Sequence, residues 1–464
     1  MGGGGLLQLV AYGAQDVFLT GSPQITYFKQ LYRRHTNFSQ ESIEQSFIGS
    51  ATYGGRPSVT ISRNGDLLSK VYLEVELQPN TGALIDTRYV SKLGHKLIKY
   101  VECEIGGQKI DRVFGRWMDT WYGWTHKAEK DAGYAEMTLV DHDMNPDQGY
   151  YLAEKKKIWI PISFWFTKSA GAALPLISLQ YHEVKLIFDI EPIGEILKTV
   201  DSTAAAAGIS GSGSQFATVA STSSSAGLST LVTDGPPSNA SQTAYDPKFK
   251  LWADFIFLDT PERRRFAQSS HEYLIEQLQT TGEDPKSKQR SHNIRLSFNH
   301  PCKLFAWQFI PKTFAAENAL LTGTGPNESY IFDPFYNGVS VAKTKQTVDK
   351  SCANPIASVK LQLNGHERFA ERPGAYFSLV QPYQHLDAIP TKSYQGCYSF
   401  CLAPSEHQPS GALNCSRVDN ASITFEMTEG AGNGENMDGK FIIYAVNYNV
   451  LRVLSGMGGL AFSN

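Results

Sequence analysis

Short alternating strands, an internal repeat that keeps its inside–outside phase, and a length of 464 residues predict an all-β chain. The expected fold is two tandem eight-stranded antiparallel jelly rolls with short helices and long loops. A chain of this length exceeds one ordinary hydrophobic core, so two domains are expected. Many short strands with long connections form sandwiches or jelly rolls, and helices are too few here for βαβ units. The expected layout is an N-terminal arm at 1–23, a first roll at 24–259, a connector at 260–271 and a second roll at 272–464.

The arm opens with a glycine run, which is costly to order alone. It lacks the basic and apolar regions of a secretory signal, and Leu6 stands where a myristoylation pattern needs Ser or Thr. No apolar run approaches the roughly 18 residues of a membrane span. Gln24 to Phe38 is aromatic and basic; nucleic-acid contact is one reading, and a packed connector with solvated charges is preferred. Strands then begin at Ser42 to Ile48 and at Val59 to Ser62, the latter before the turn Asn64-Gly65. Lys70 to Leu77 alternates, with Val71, Leu73, Val75 and Leu77 on one face and Lys70, Tyr72, Glu74 and Glu76 on the wet one. Val101, Cys103 and Ile105 repeat the pattern, with Glu102 and Glu104 outside, and Gly106-Gly107 supplies a tight hairpin turn. Trp117, Trp121 and Trp124 share one helical face. That stripe is either a sugar platform or, as preferred, a helix capping a sheet end. Lys157 to Thr167 and Val184 to Ile190 are further strands. Residues 201–242 are dominated by Ser, Thr, Ala and Gly, with no Lys or Arg. They form a low-complexity loop between two strands.

Phe249 to Leu258 is dense in aromatic and β-branched residues and reads as a strand. Asp259-Thr260-Pro261 stops it, because proline removes a ladder donor. Glu262, Arg263, Arg264 and Arg265 are too charged to bury, so the connector Thr260 to His271 lies at the surface. Extended patterns resume at 273–278, 293–298, 303–310, 358–363, 397–402, 421–427 and 440–453, around a second long loop region at 311–357. The two halves align by motif. Ile43-Glu44-Gln45 matches Ile275-Glu276-Gln277. Val59, Ile61 and Asn64 match Ile294, Leu296 and Asn299 at a constant offset. Val101, Cys103, Ile105 and Gly107 match Val359, Leu361, Leu363 and Gly365, again at one offset, and the turn Gly106-Gly107 corresponds to Asn364-Gly365. Val184, Leu186 and Phe188 match Ala421, Ile423 and Phe425. Phase is kept throughout, and a one-residue slip would turn every side chain to the other face.

Composition and motifs exclude several function classes. A net charge of -3 gives no global basic field, so direct nucleic-acid packaging is not expected. No P-loop, GxGxxG, GxSxG or HExxH motif occurs. The histidines are dispersed, Asp141-His142-Asp143 being the nearest thing to a cluster, and it reads as a solvated loop. Cys103, Cys302, Cys352, Cys397, Cys401 and Cys415 form no CxxC pair and are expected to be buried free thiols. No catalytic residue, cofactor or metal is expected. Sequons stand at Asn37, Asn239, Asn327, Asn414 and Asn420.

The opening 6–38, LLQLVAYGAQDVFLTGSPQITYFKQLYRRHTNF, resembles the start of major capsid proteins of nucleocytoplasmic large DNA viruses, the chlorovirus-like proteins of algal and amoebal viruses in particular. The resemblance continues through ISRNGDLL at 61–68, EIGGQKID at 104–111, LPLISLQYHEVKL at 174–186 and FIFLDTPERRRFAQSSHEYLIEQLQ at 255–279. It includes RLSFNHP at 295–301, QPSGALNCSRVDNASI at 408–423 and NYNVLRVLSGMGGLAFSN at 447–464. The departures lie in loops 201–242 and 311–357. The resemblance implies a double jelly-roll subunit in a homotrimer of pseudo-hexagonal outline, tiling an icosahedral shell assembled in the host cytoplasm. It implies neighbouring capsomers, penton and minor capsid proteins beneath the shell, a nearby internal membrane and surface glycans as partners. The arm, Met1 to Gly21, is then expected on the inner side and both long loops on the outer. A glycan-binding or glycan-processing β-sandwich, using the three tryptophans, is the alternative from another class.

Overall fold

The computed structural model describes residues 3–80, 87–90, 92–140, 150–199, 233–234, 247–286, 290–311, 356–389, 395–427 and 439–463. The chain divides into two compact units, Met1–Phe38 and Ser39–Asn464.

The first unit holds two seven-residue helices, α1 (Gly4–Val10) and α2 (Ala14–Thr20). Asp16 accepts a bond from the Gly13 amide at 2.9 Å and caps α2. Helices this short are marginal alone, and this unit buries none of its described side chains. The preference for a packed Gln24–Phe38 is therefore overturned. Its charges are solvated, but Tyr27, Phe28 and Tyr32 are equally bare, with Phe28 98% exposed.

Among its described residues the second unit has sixteen principal strands. The first eight are β1 (Phe38–Gln45), β2 (Ser58–Thr60), β3 (Leu67–Leu77), β4 (Ile98–Ile105), β5 (Gln108–Phe114), β6 (Lys156–Pro161), β7 (Val184–Ile190) and β8 (Lys248–Leu258). The second eight are β9 (His271–Lys286), β10 (Ser291–Leu296), β11 (Pro301–Pro311), β12 (Ile356–Leu363), β13 (His366–Pro373), β14 (Gln395–Ser399), β15 (Ala421–Met427) and β16 (Gly439–Leu454). In the first set one sheet runs β1-β8-β3-β6 and the other β2-β7-β4-β5; in the second they run β9-β16-β11-β14 and β10-β15-β12-β13. Counted within each half, both sets read 1-8-3-6 and 2-7-4-5, the wiring of a jelly roll made twice. Every ladder whose register is resolved between these strands is antiparallel.

The alternation read from the sequence sets the cores. Val71, Leu73 and Val75 of β3 pack with Leu251, Ala253 and Phe255 of β8 and with Val101, Cys103, Leu186 and Phe188 of the facing sheet. The sheet β9-β16-β11-β14 is buried on both faces. Phe305, Trp307, Phe309, Phe441 and Ile443 point into the core of the second roll. Leu304, Ala306, Ile310, Tyr444 and Val446 join the core that contains the first roll. Double burial explains the nearly continuous apolar runs of β11 and β16.

Two elements differ from expectation. The stretch read as one strand at Lys157–Thr167 is β6 followed by a one-turn helix, Trp165–Lys168, whose Trp165 and Phe166 are buried. The connector is a helix, α5 (Thr260–Gln268). Asp259 caps it by accepting from the Thr260 amide at 2.7 Å, and Pro261 sits in its first turn. The same Asp-Thr-Pro that ends a strand is a helix N-terminal signature.

The ladders also fix the ends of the rolls. The segments that follow β1, β3, β5 and β7 leave the first roll at one end, and those that follow β9, β11, β13 and β15 leave the second at the equivalent end. These ends lie side by side. Gln395 Nε2 donates to Thr120 Oγ1 at 3.0 Å and the Ala388 amide to the Trp124 carbonyl at 2.9 Å. At the opposite end the Tyr181 amide donates to the Gly456 carbonyl at 2.9 Å, and α5 makes the crossing there.

Candidate functional site: the seam between the two rolls

The edge strand β5 of the first roll meets β9 of the second. Leu278 N donates to Asp111 Oδ1 at 3.1 Å, and Gln277 Nε2 donates to the Ile110 carbonyl. After β5 the chain enters α3 (Gly115–Thr125) and α4 (Ala128–Thr138). Helix α3 lays Trp117 against Tyr444, ring centroids 5.2 Å apart, and stacks Trp117 on Trp121 at 5.5 Å. Trp124 is fully buried. These rings pack the seam and leave no open platform for a sugar, so the site on which a glycan-binding reading would rest is absent.

Beneath Trp121 lies an ionic cluster. Glu276 of β9 is paired with Lys303 of β11 and with Lys168 from the first roll. Lys168 and Lys303 sit 5.1 and 6.0 Å from the Trp121 ring centroid, and Lys303 is also 5.5 Å from that of Tyr448. Burial pushes the Lys303 amine down to about 8; Lys168 adds to the shift and Glu276 opposes it. Burial acts to raise the Glu276 carboxyl, but the two lysines together hold it below its usual range. Asp111, buried beside them, is pushed up to about 7 by desolvation against the two amide bonds it accepts from Leu278 and Arg112. A small cavity of about 30 Å³ lies among Asp111, Trp121, Lys168 and Glu276.

A second buried cluster fixes α3 and α4. Lys92 Nζ pairs with Asp119 Oδ2 at 3.1 Å, His95 Nδ1 lies 3.3 Å from Asp119 Oδ1, and His95 Nε2 lies 2.7 Å from the Tyr134 hydroxyl. Neither cluster has a sequence motif, because its members come from separate segments.

The turn residues sit at the tips of equivalent hairpins. Gly106 and Gly107 have φ of 59° and 80°, and Asn364 and Gly365 have φ of 50° and 80°, as a type I′ turn requires. In the connector, Pro261 and Glu262 lie in the first turn of α5, Arg263 pairs with Asp66 at 3.0 Å, and Arg264 and Arg265 are exposed. The expected wet position of Glu74 and Glu102 is corrected. Both are buried, because long neighbours cover their face. Glu102 is held by Arg56 at 3.0 Å and by Arg112 at 2.6 Å. Glu74 accepts from Trp252 Nε1 at 2.7 Å and pairs with Lys157 at 3.2 Å. Cys103, Cys302, Cys397, Cys401 and Cys415 are buried free thiols. Asn37, Asn414 and Asn420 are exposed. Asp141-His142-Asp143, Cys352, Asn239, Asn327 and nearly all of loops 201–242 and 311–357 lie outside the described residues. Of the first loop, Thr233 and Asp234 are described and pair with Thr199 and Lys198.

Among the described residues no group of three or more His, Cys, Asp or Glu side chains could hold a metal ion, and no helix is long and apolar enough to cross a membrane. The larger cleft, about 320 Å³ at the end where α5 crosses, is lined by residues such as Ser178, Gln180, Ser270 and Gly456 and by no charged group. Two identically wired rolls, packed through one continuous core, define a double jelly-roll protein.

Family models for the major capsid protein N-terminus and for the large eukaryotic DNA virus major capsid protein match residues 26–259 and 262–459. The major capsid protein of Pyramimonas orientalis virus is 41% identical, with all of both chains covered. That of Paramecium bursaria Chlorella virus 1 is 40% identical, covering 99% of this chain and all of the other. The crystal structure of VP54 from PBCV-1, fitted into a reconstruction of the Sputnik virophage, superimposes with a TM-score of 0.70 at 33% identity, covering 95% of this chain and 100% of that one. The Faustovirus major capsid protein shares the fold at a TM-score of 0.65 and 14% identity, covering 97% of this chain and 96% of that one. The chain belongs to the major capsid proteins of the large eukaryotic DNA viruses, and it is a structural component of the virion shell.

Proposed function

We propose that the chain works as a pseudo-hexagonal homotrimer that tiles an icosahedral shell assembled in the host cytoplasm. In this reading its two rolls, 24–259 and 272–464, are joined by the connector 260–271. The observation that carries it is the duplication of one wiring within a single chain. Two equivalent rolls per chain give three copies six comparable edges, which a hexagonal lattice can use. The long loops 201–242 and 311–357 face outward in this reading, because the described strands flanking them end on the same side of the molecule. The opposite end, where α5 crosses, faces the penton and minor capsid proteins and the internal membrane. The bare apolar side chains of the arm contact that inner layer; a set this large on a soluble surface marks an interaction site. Surface glycans belong on the loop tips.

The test is the mass of the purified protein by sedimentation or mass photometry. A particle of three times the 51.3 kDa chain mass is expected, and deleting 205–240 should leave it unchanged. A stable monomer at micromolar concentration would refute the trimer. Loss of trimers on the deletion alone would make that loop an intersubunit clasp instead of an outer tip.

A further inference from the structure

We infer that Cys302 and Cys415 are a thiol pair that a small-molecule disulfide oxidises to one disulfide bond, tying the loop 400–420 to the start of β11. The pair lies within one roll, so nothing in it depends on how many chains assemble.

Strand β11 begins at Pro301, directly after a bend. His300 has φ of 65°, a left-handed conformation uncommon for residues other than glycine. The bend turns both of its backbone groups toward the loop. The His300 amide donates to Ser416 Oγ at 2.8 Å, and the His300 carbonyl accepts from the Cys415 amide at 3.0 Å. The two-residue strand Leu413–Asn414 continues this contact, pairing Asn414 with Pro301 and Leu413 with Cys302. Cys302 Sγ lies 3.6 Å from the same His300 carbonyl oxygen. The Cys415 amide and the Cys302 thiol thus converge on one oxygen atom. The Cys302 thiol and amide both hydrogen-bond to the Cys415 sulfur. Between residues 405 and 420, all of them described, Cys415 alone is buried. It is the point at which this loop is anchored to the roll.

The two thiols have different roles. The bond from the Cys302 thiol holds the Cys415 thiol below its ordinary pKa; burial opposes this and the Cys302 amide adds to it. The same bond, with burial after it, pushes the Cys302 thiol up. Cys415 is therefore the nucleophile, because the thiolate is the reactive form. It is 6% exposed, on a turn whose Asn414, Ser416 and Arg417 are all exposed, whereas Cys302 is 0% exposed. The Cys415 thiolate attacks one sulfur of the small disulfide. A bond from Cys415 Sγ to that sulfur forms, the S–S bond of the reagent breaks, and a thiolate leaves with the electron pair and takes up a proton. Cys415 then carries no charge, so the contact that kept Cys302 protonated is gone. Cys302 gives its proton to solvent and attacks Cys415 Sγ. The Cys302–Cys415 bond forms, and the second small thiolate leaves and is protonated. Two protein thiols are oxidised and one small disulfide is reduced to two thiols. Burial pushes up the Cys103 and Cys397 thiols, which keeps both inert by comparison.

The experiment uses the purified full chain, reduced and then freed of reductant. It is incubated folded with oxidised glutathione at mildly alkaline pH and blocked with N-ethylmaleimide under denaturing conditions. Digestion without reduction combines trypsin with a glutamate-specific protease, which cuts at Glu406 between Cys401 and Cys415. Mass spectrometry should recover the peptides of Cys302 and Cys415 joined, lighter than their sum by two hydrogen atoms and separable by reduction. Cys302→Ser should retain a glutathionyl group on Cys415, and Cys415→Ser should leave Cys302 as a free thiol. The joined chain should unfold at a urea midpoint higher by about 1 M or more, because the bond closes a loop of more than a hundred residues; Cys302→Ser should lose that gain. Recovery of both cysteines of the wild type as maleimide adducts, or of either joined to another cysteine, would overturn the pair. Equal urea midpoints for the joined and the reduced wild type would overturn the tie between the loop and β11. Both of these results are read on the wild type, so a serine variant that fails to fold leaves them decisive.

Discussion

Removing the carboxylate of Glu276 tests how the seam is held. Lys303 has 0% of its side chain exposed and Glu276 has 3%, whereas Lys168 reaches solvent with 27%. Glu276→Gln leaves two ammonium groups beneath Trp121 with no anion between them. Breaking a buried pair from one side costs about 3–5 kcal/mol, because the remaining charge is uncompensated. Lys303→Met differs. It removes the fully buried cation, keeps the volume, and leaves Glu276 its half-solvated partner Lys168, so a change within about 1 kcal/mol is expected. The pH dependence follows from the depressed Lys303 amine. Its folded value, about 8, lies below the usual 10.5, so the unfolded chain binds the extra proton between these limits. Stability therefore rises with pH across that window, by on the order of 3 kcal/mol for this group, and Lys303→Met should abolish that rise. Urea unfolding followed by tryptophan fluorescence, at one fixed protein concentration, at pH 7 and pH 10, reads both effects. A Glu276→Gln variant within about 0.5 kcal/mol of wild type, or a Lys303→Met variant as unstable as Glu276→Gln, would refute this account of the seam.

Two further outcomes follow from the same geometry. The Asp111 carboxyl is raised from 3.8 to about 7, so its contribution to stability is full below pH 4 and is lost as pH rises through 7. Asp111→Asn should flatten that fall, on the order of 4 kcal/mol, when wild type and variant are compared by urea midpoints from pH 4 to pH 8; parallel profiles would show that Asp111 titrates normally. Gly365 has φ of 80° with open space where a Cβ would stand, so Gly365→Val costs only backbone strain, about 1–2 kcal/mol, and an unchanged thermal midpoint would show the hairpin to be slack.

Most of the fold was legible because most strands have one wet and one dry face. Val184–Ile190 and Ala421–Met427 are observed with the expected limits and the expected inward residues. Strand β13 was not legible. His366–Pro373 is exposed at seven of its eight positions, so nothing in HERFAERP alternates, and only the preceding Asn-Gly turn implies a returning strand. The helix α5 was hidden by a proline that reads equally as a strand stop and a helix start. The seam was hidden for another reason. Alternation tells which face a residue takes, not what lies above that face. Glu74 and Glu102 therefore read as wet although tryptophan and arginine side chains cover them, and Lys303 carries no mark of its burial.

The triplet Ile-Glu-Gln shows where sequence and environment part. It occurs at Ile43-Glu44-Gln45 and at Ile275-Glu276-Gln277, on the same strand of each roll. In the second roll its glutamate lies under another roll and holds two lysines. In the first, the Glu44 side chain is 46% exposed and holds one, Lys250, at 2.9 Å. An exposed pair of that kind contributes little, about 0–1 kcal/mol. The two copies differ in what covers them, and in the second the cover is β5 and α3 of the neighbouring roll. In an assembly of such chains, a neighbouring subunit laid over β1 would supply the equivalent cover to Glu44. Glu44→Gln is then nearly silent in the separated chain and costly only in the trimer. Unfolding of the monomer and dissociation of the trimer, measured on that one variant, separate the two environments; equal small effects in both would leave β1 at the outer rim and the seam unrepeated.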